Sequence, residues 1–204
     1  MKKIKFALLA LLLMPILGLA QSLENLDYIS PFHNGYAAIK KNNQWAFINN
    51  KATIAIDFRN DLVTTTAGHV NYPIFNDGRC LIKKQKQGIS YFGFIDTSGK
   101  TIIEPQFLNA TNFSEGKAIT LKLVKETTGK NDALGKNIVY YKYFEVTIDP
   151  NGNVIDYLNP KGKNMILDNE FLTEAPEITS KQISKDVFAI KGKNNKWTIV
   201  NHSK

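Results

Sequence analysis

The sequence predicts an all-β protein, a stack of antiparallel β-hairpin repeats in about three and a half units. Two recurrences and one contrast lead to that class. A Phe-x-x-Gly turn returns along the chain, a second apolar strand follows each first one, and no stretch sustains the apolar period of a helix.

Taken in order, residues 1–20 read as a secretory signal peptide. Lys2, Lys3 and Lys5 precede an apolar run, and Gly18 and Ala20 supply the small residues of a cleavage site after Ala20. The run is shorter than the roughly 20 residues of a membrane span. The expectation is therefore an exported product, periplasmic or extracellular, with no integral membrane segment after cleavage. Residues 21–204 are expected to form one domain. Of the formal charge of +8, the leader supplies three lysines. The excess that remains is mild and does not point to nucleic acid. Cys80 is the only cysteine, so no internal disulfide is expected and the core must hold the fold.

Three segments open the units: FHNGYAAIKK from Phe32, FNDGRCLIKK from Phe75 and FSEGKAITLK from Phe113. Their glycines, Gly35, Gly78 and Gly116, recur at roughly 40 residues. Each stands where a positive-φ turn feeds a strand. The second strands are WAFIN from Trp45, FGFID from Phe92, and EVTID from Glu145 with Phe144 before it. Asp96 to Gly99 and Asp149 to Gly152 then read as turns into TII and NVI, the aspartate accepting local backbone bonds. IKKNNQWAFIN at 39–49 nearly returns as IKGKNNKWTIVN at 190–201, a partial fourth unit that lacks Phe-x-x-Gly. The units span approximately 31–58, 73–107, 110–155 and 184–202. Residues 59–72 are an insertion, residues 125–143 an extended hairpin or loop, and residues 156–183 a connection whose PEITSKQI holds a short strand. Such units form either a closed ring or an open array.

This punctuation resembles WG-repeat proteins of the exported bacterial type. Phe92, Gly93, Phe94, Ile95, Asp96, Gly99, Lys100 and Pro105 match the pattern most fully, although Trp45 precedes Ala46 and Trp197 precedes Thr198. The resemblance implies a scaffold and no catalytic residues.

Candidate sites are few. Cys80 sits at the repeat position of Ala37 and Ala118, which asks for a small strand residue. His33, His69 and His202 are scattered, and His33 in its repeat turn reads as a solvated side chain. No metal-ligand spacing, cofactor motif or nucleophile motif occurs. The carboxylates Asp77, Asp96, Glu104, Glu115 and Asp149 occupy or adjoin turns. Trp45, Phe92 and Trp197 hold equivalent positions and read as a repeated core contact. Lysines gather at the strand connections, with Lys83, Lys84, Lys86, Lys191 and Lys193 the candidate contacts for an envelope protein or acidic macromolecule. Tyr140, Tyr141 and Tyr143 are candidate contacts for a glycan. The expected function is a non-enzymatic exported scaffold that binds another macromolecule in the cell envelope. The alternative is a carbohydrate or cell-wall binding module with weak hydrolase activity.

Overall fold

A computed structural model of the chain describes residues 23–67, 70–131, 135–192 and 194–202. The expected signal peptide, His69 and Lys193 lie outside the described residues. Sixteen strands follow one another: β1 (Tyr28–Ile29), β2 (Tyr36–Lys41), β3 (Gln44–Asn49), β4 (Ile54–Arg59), β5 (Thr65–Ala67), β6 (Val70–Tyr72), β7 (Cys80–Lys86) and β8 (Ile89–Ile95) make the first half. The second half is β9 (Thr101–Ala110), β10 (Ala118–Asn131), β11 (Lys136–Ile148), β12 (Val154–Tyr157), β13 (Lys163–Met165), β14 (Lys181–Ser184), β15 (Val187–Lys191) and β16 (Trp197–Asn201). The pairings are antiparallel, and the sheets run β1-β2-β3-β4, then β12-β11-β10-β9-β8-β7, then β14-β15-β16, with β5-β6 as a separate hairpin. The all-β repeat class is thus the observed one. No helix among the described residues is long and apolar enough to cross a membrane.

Each unit begins in a two-residue turn. Asn34 and Gly35, Asp77 and Gly78, and Glu115 and Gly116 all have positive φ, the signature of a type I′ turn whose twist suits the hairpin it joins. His33 and Tyr36, Asn76 and Arg79, and Ser114 and Lys117 exchange backbone bonds across these turns at 2.8–3.1 Å. The sequence assigned the left-handed state to glycine alone. The residue before each glycine shares it, which polar Asn and Asp tolerate best. The fourth unit turns at the same place without glycine, where Ser184 pairs with Val187.

Alternation along each strand gives every unit two faces, and the stacking of faces makes the core. Ala38, Phe47 and Ile56 of the first unit meet Phe75, Cys80, Ile82 and Ile95 of the second. Leu81, Phe94 and Ile103 of the second meet Phe113, Ala118, Val146 and Ile148 of the third. The Phe of each repeat turn is the knob. Phe75 lies 4.6 Å from Phe47 and Phe113 lies 4.8 Å from Phe94 between ring centroids. The turns are also tied to one another in sequence: Asn34 Nδ2 donates to the Phe75 carbonyl at 2.8 Å, and the Gly116 amide to Asp77 Oδ2 at 2.8 Å. Lys117 Nζ reaches Asp186 Oδ1 at 2.7 Å.

The third interface is built differently. On the strand face where units one and two offer Phe47 and Phe94, unit three offers Thr147. Where they offer Trp45 and Phe92, it offers Glu145. Glu145 is 1 % exposed, and its Oε1 accepts from Thr179 N and Oγ1 at 3.1 and 2.6 Å, while Oε2 accepts from the Ser180 amide at 2.9 Å and from the Ser180 hydroxyl. Buried charge is tolerated only when its oxygens are bonded in this way. The carboxylate thereby anchors the 156–183 connection, whose Met165, Leu167, Leu172 and Ile178 pack on Ile89, Leu108 and Leu121.

Gly93 fills the glycine place of the repeat for a local reason. Phe92 faces Phe107 and Phe94 faces Ile103, so β9 bulges around Glu104 and Pro105 directly over Gly93. A Cβ there would stand 2.3 Å from the Ile103 carbonyl oxygen and 2.7 Å from Pro105 N. In the first sheet the corresponding step runs from Trp45–Arg59 to Phe47–Ile56, a smaller bulge, and Ala46 is accommodated.

Two stability predictions follow from these contacts. Gly93→Ala is expected to lower unfolding stability by about 1–3 kcal/mol, whereas Gly129→Ala, with open space around its Cβ, leaves the urea midpoint nearly unchanged. Glu145→Gln turns a donor toward the Thr179 and Ser180 donors and should cost about 2–3 kcal/mol. Hydrogen exchange of the 179–180 amides checks the second, since both should lose protection.

Candidate functional site

A groove of about 920 Å³ opens between the first and second units. Two sheet edges form its walls. β4 ends the first sheet and β7 ends the large one. Along β7, the Leu81 carbonyl accepts from Val63 N and the Lys83 amide donates to the Asp61 carbonyl. Gln85 continues that edge beyond the last of these bonds. Residues from Ala55 to Asp61 line one side, Ile82 to Gln85 the other, and Ser98, Gly99, Thr101, Glu104 and Pro105 the floor and end.

The groove's charge is balanced. Arg59, Lys83 and Lys84 line the groove together with Asp57, Asp61 and Glu104. Arg59 is held in place, with Nε 2.6 Å from Asp61 Oδ1, Nη2 2.7 Å from Asp61 Oδ2, and Nη1 donating to the Gly99 carbonyl at 3.1 Å. This two-pronged pairing raises the guanidinium above its ordinary pKa, against a smaller effect of partial burial. Lys83 and Lys84 are exposed and make no ion pair among the described residues. They are the movable charges of the site, while the Arg59–Asp61 pair is fixed.

The other candidate residues are distributed elsewhere. Lys86 donates to the Pro105 carbonyl at 3.0 Å and lies 5.4 Å from the Tyr91 ring. Lys191 stands 5.8 Å from the Trp197 ring, and Lys181 stands 5.1 Å from it on β14. Lys40 covers Trp45 in the same manner at 5.6 Å. A lysine laid on an aromatic ring is thus a recurring element of these hairpins.

The three tyrosines do not make one platform. Tyr140 falls on the opposite strand face from Tyr141 and Tyr143, because side chains alternate. Its hydroxyl donates to Glu126, a bond that raises the tyrosine and lowers the carboxylate. Tyr143 packs against the Ile89, Leu108 and Leu121 cluster, and burial raises its phenol. Tyr141 is paired with Met165 on β13.

Cys80 is fully buried and its thiol is pushed far above its ordinary range by burial, so it fills the small strand position. His33 differs from expectation: Nε2 lies 2.8 Å from the Tyr72 hydroxyl and the two rings are tilted at 33° with centroids 5.7 Å apart, because the 59–72 insertion folds back onto the first turn. Trp197 also differs. It is 46 % exposed, whereas Phe92 is 8 % exposed. Asp96 accepts from Ser98 Oγ at 2.6 Å and from the Ser98 and Lys100 amides, and these bonds lower its pKa. Partial burial acts to raise Asp149, yet bonds from Asn153, Asn151 and Gly152 outweigh it and lower the group. Both aspartates are turn residues. Among the described residues no group of three or more His, Cys, Asp or Glu stands at metal-binding geometry.

Sequence reasoning missed Asp57, Arg59 and Asp61. Their stretch, IDFRND, lies at the end of β4 where no repeated motif marks it, and they join Lys83 and Lys84 in the groove lining only because the second unit packs beside it.

No curated protein and no solved structure matches the chain. A family model, WG containing repeat, matches residues 25–45 and 92–122. The first match covers β1, β2 and the entry to β3. The second runs from Phe92 through β9 to Lys122 and so includes both partners of the Phe94–Phe113 contact. These two segments of the chain are similar to WG containing repeats.

Proposed function

We propose that the chain is an exported, non-enzymatic repeat scaffold that binds another protein of the cell envelope, and that the groove between its first two units is the binding site. The observation that carries this reading is the position of the groove beside the β4 edge and the Gln85 end of the β7 edge, beyond the Leu81 and Lys83 groups that Val63 and Asp61 already occupy. An extended segment of a partner can add as a strand there, with main-chain bonds supplying affinity and alternate side chains supplying selection. Three cations and three carboxylates line the groove. That balance favours a polypeptide of mixed charge over a polyanion. The lysines and apolar run of residues 1–20 support export, and repeat positions that account for the aspartates and for Cys80 structurally support the scaffold role.

The test is crosslinking in intact cells with mass spectrometry of everything recovered on a tagged copy. The expected outcome is one reproducible protein linked through Lys83 or Lys84. Lys83→Glu with Lys84→Glu should reduce its recovery about tenfold, equivalent to about 1.4 kcal/mol. Equal recovery by wild type and the double variant removes the groove as the site.

A further inference from the structure

The two ends of the stack carry the two halves of a contact that the interior uses twice. Inside, a repeat-turn phenylalanine of one unit seats on a second-strand side chain of the unit before it: Phe75 on Phe47 and Phe113 on Phe94. Both inserted rings are 1 % exposed. Phe32 is the same residue of the first unit; among the described residues no earlier unit receives it, and it is 52 % exposed, with Ile29 at 58 %. Ile199 is the counterpart of Phe47 and Phe94 in the last unit, and it is 68 % exposed beside Trp197. One end presents a knob and the other a seat.

The last unit's two faces confirm which one is open. Phe188, Ile190 and Val200 pack inward on Ile119 and Leu158. Pairing of Ala189 with Ile199 and of Lys191 with Trp197 sets them on the opposite face, where Ile199, Trp197 and Lys191 are exposed and the small Ala189 is buried. A repeat array that ends in a capping unit covers its outer face with polar residues. This face instead carries an isoleucine and a tryptophan.

We propose that the chain associates head to tail with a second copy, Phe32 of one copy seating on the Ile199 and Trp197 face of the other. The contact continues the interface that already joins units one to two and two to three. Lys181 and Lys191 flank the Trp197 ring and leave its outer face exposed. The turn ladder extends as well, for Lys185 occupies in the Ser184–Val187 turn the place of Asn34, whose side chain donates to the next unit's phenylalanine carbonyl. Because the two surfaces differ, the association is heterologous, giving a ring if the rotation closes and a filament if it does not.

Sedimentation velocity on the full-length gene product, purified after export with its N-terminus fixed by mass spectrometry, tests this. The wild-type chain should show mass rising with concentration beyond a dimer. Phe32→Asp and Ile199→Asp, both at exposed positions, should each sediment as folded monomers with unchanged circular dichroism. Mixed in equal amounts, the two variants should form a dimer and nothing larger, because each keeps one intact surface. A wild-type chain that stays monomeric at its highest soluble concentration overturns the proposal. So does a variant that associates like wild type, or a mixture that fails to dimerise when wild type does. Lys83→Glu with Lys84→Glu should leave self-association intact, which separates this surface from the groove.

Discussion

The phenylalanine that leads each repeat turn is the interaction on which the rest of the structure depends. A single hairpin cannot bury both faces, and an isolated two-stranded hairpin has marginal stability in water. Seating Phe75 on Phe47 and Phe113 on Phe94 converts separate hairpins into a continuous core. The seat works only if the chain reverses tightly just after the ring. That requirement explains the positive φ at both central residues of the turn and the glycine in the second of them. Asn34 and Asp77 then serve twice, once by tolerating the left-handed backbone and once by bonding the next unit's turn.

Where the phenylalanine pattern lapses, the structure replaces apolar burial with a polar clamp. Unit three places Glu145 and Thr147 on the face that should receive a ring, and the fourth unit offers Ile183, which remains exposed. Glu145 accepts bonds from Thr179 and Ser180, and Phe188 enters beside Ile119 and Leu158. The two solutions differ in character. Ring on ring is non-directional and forgiving of small shifts, whereas a buried carboxylate with four donors fixes one geometry. The connection that Glu145 anchors also covers Leu108 and Leu121, so the long excursion is part of the core's closure.

The same stacking creates the surfaces available for binding. A groove opens between β4 and β7, the outer strands of two neighbouring sheets, and the face of the β15–β16 hairpin that carries Trp197 and Ile199 is uncovered among the described residues. Neither surface uses a reactive group. Cys80 is sealed in the core, Asp96 and Asp149 are consumed by their own turns, and Arg59 is held by Asp61.

Much of the fold was legible in the sequence, since turn residues act locally and announce themselves. Phe-x-x-Gly located three unit starts, Asp-x-x-Gly located two third-strand turns, and the small residues at Ala37, Cys80 and Ala118 marked strand positions with no room. The 125–143 excursion belongs to the outer part of the long β10–β11 hairpin, and β14 begins within PEITSKQI and ends at Ser184. What proximity in space decides could not be read in this way. Position 145 reads as a strand residue, but only the arrival of Thr179 and Ser180 makes it a clamp. Tyr140, Tyr141 and Tyr143 form a run in sequence, and strand alternation divides them. Trp197 matches Trp45 and Phe92 in register, yet its exposure depends on whether another unit lies on top of it. The sequence by itself determined the repeat, its turns and its strand order, because those arise from φ preferences and short-range patterning. Only the tertiary structure decided which faces are covered, which charges line the groove together, and which knob and seat remain unfilled, because each of those depends on neighbours distant in the chain.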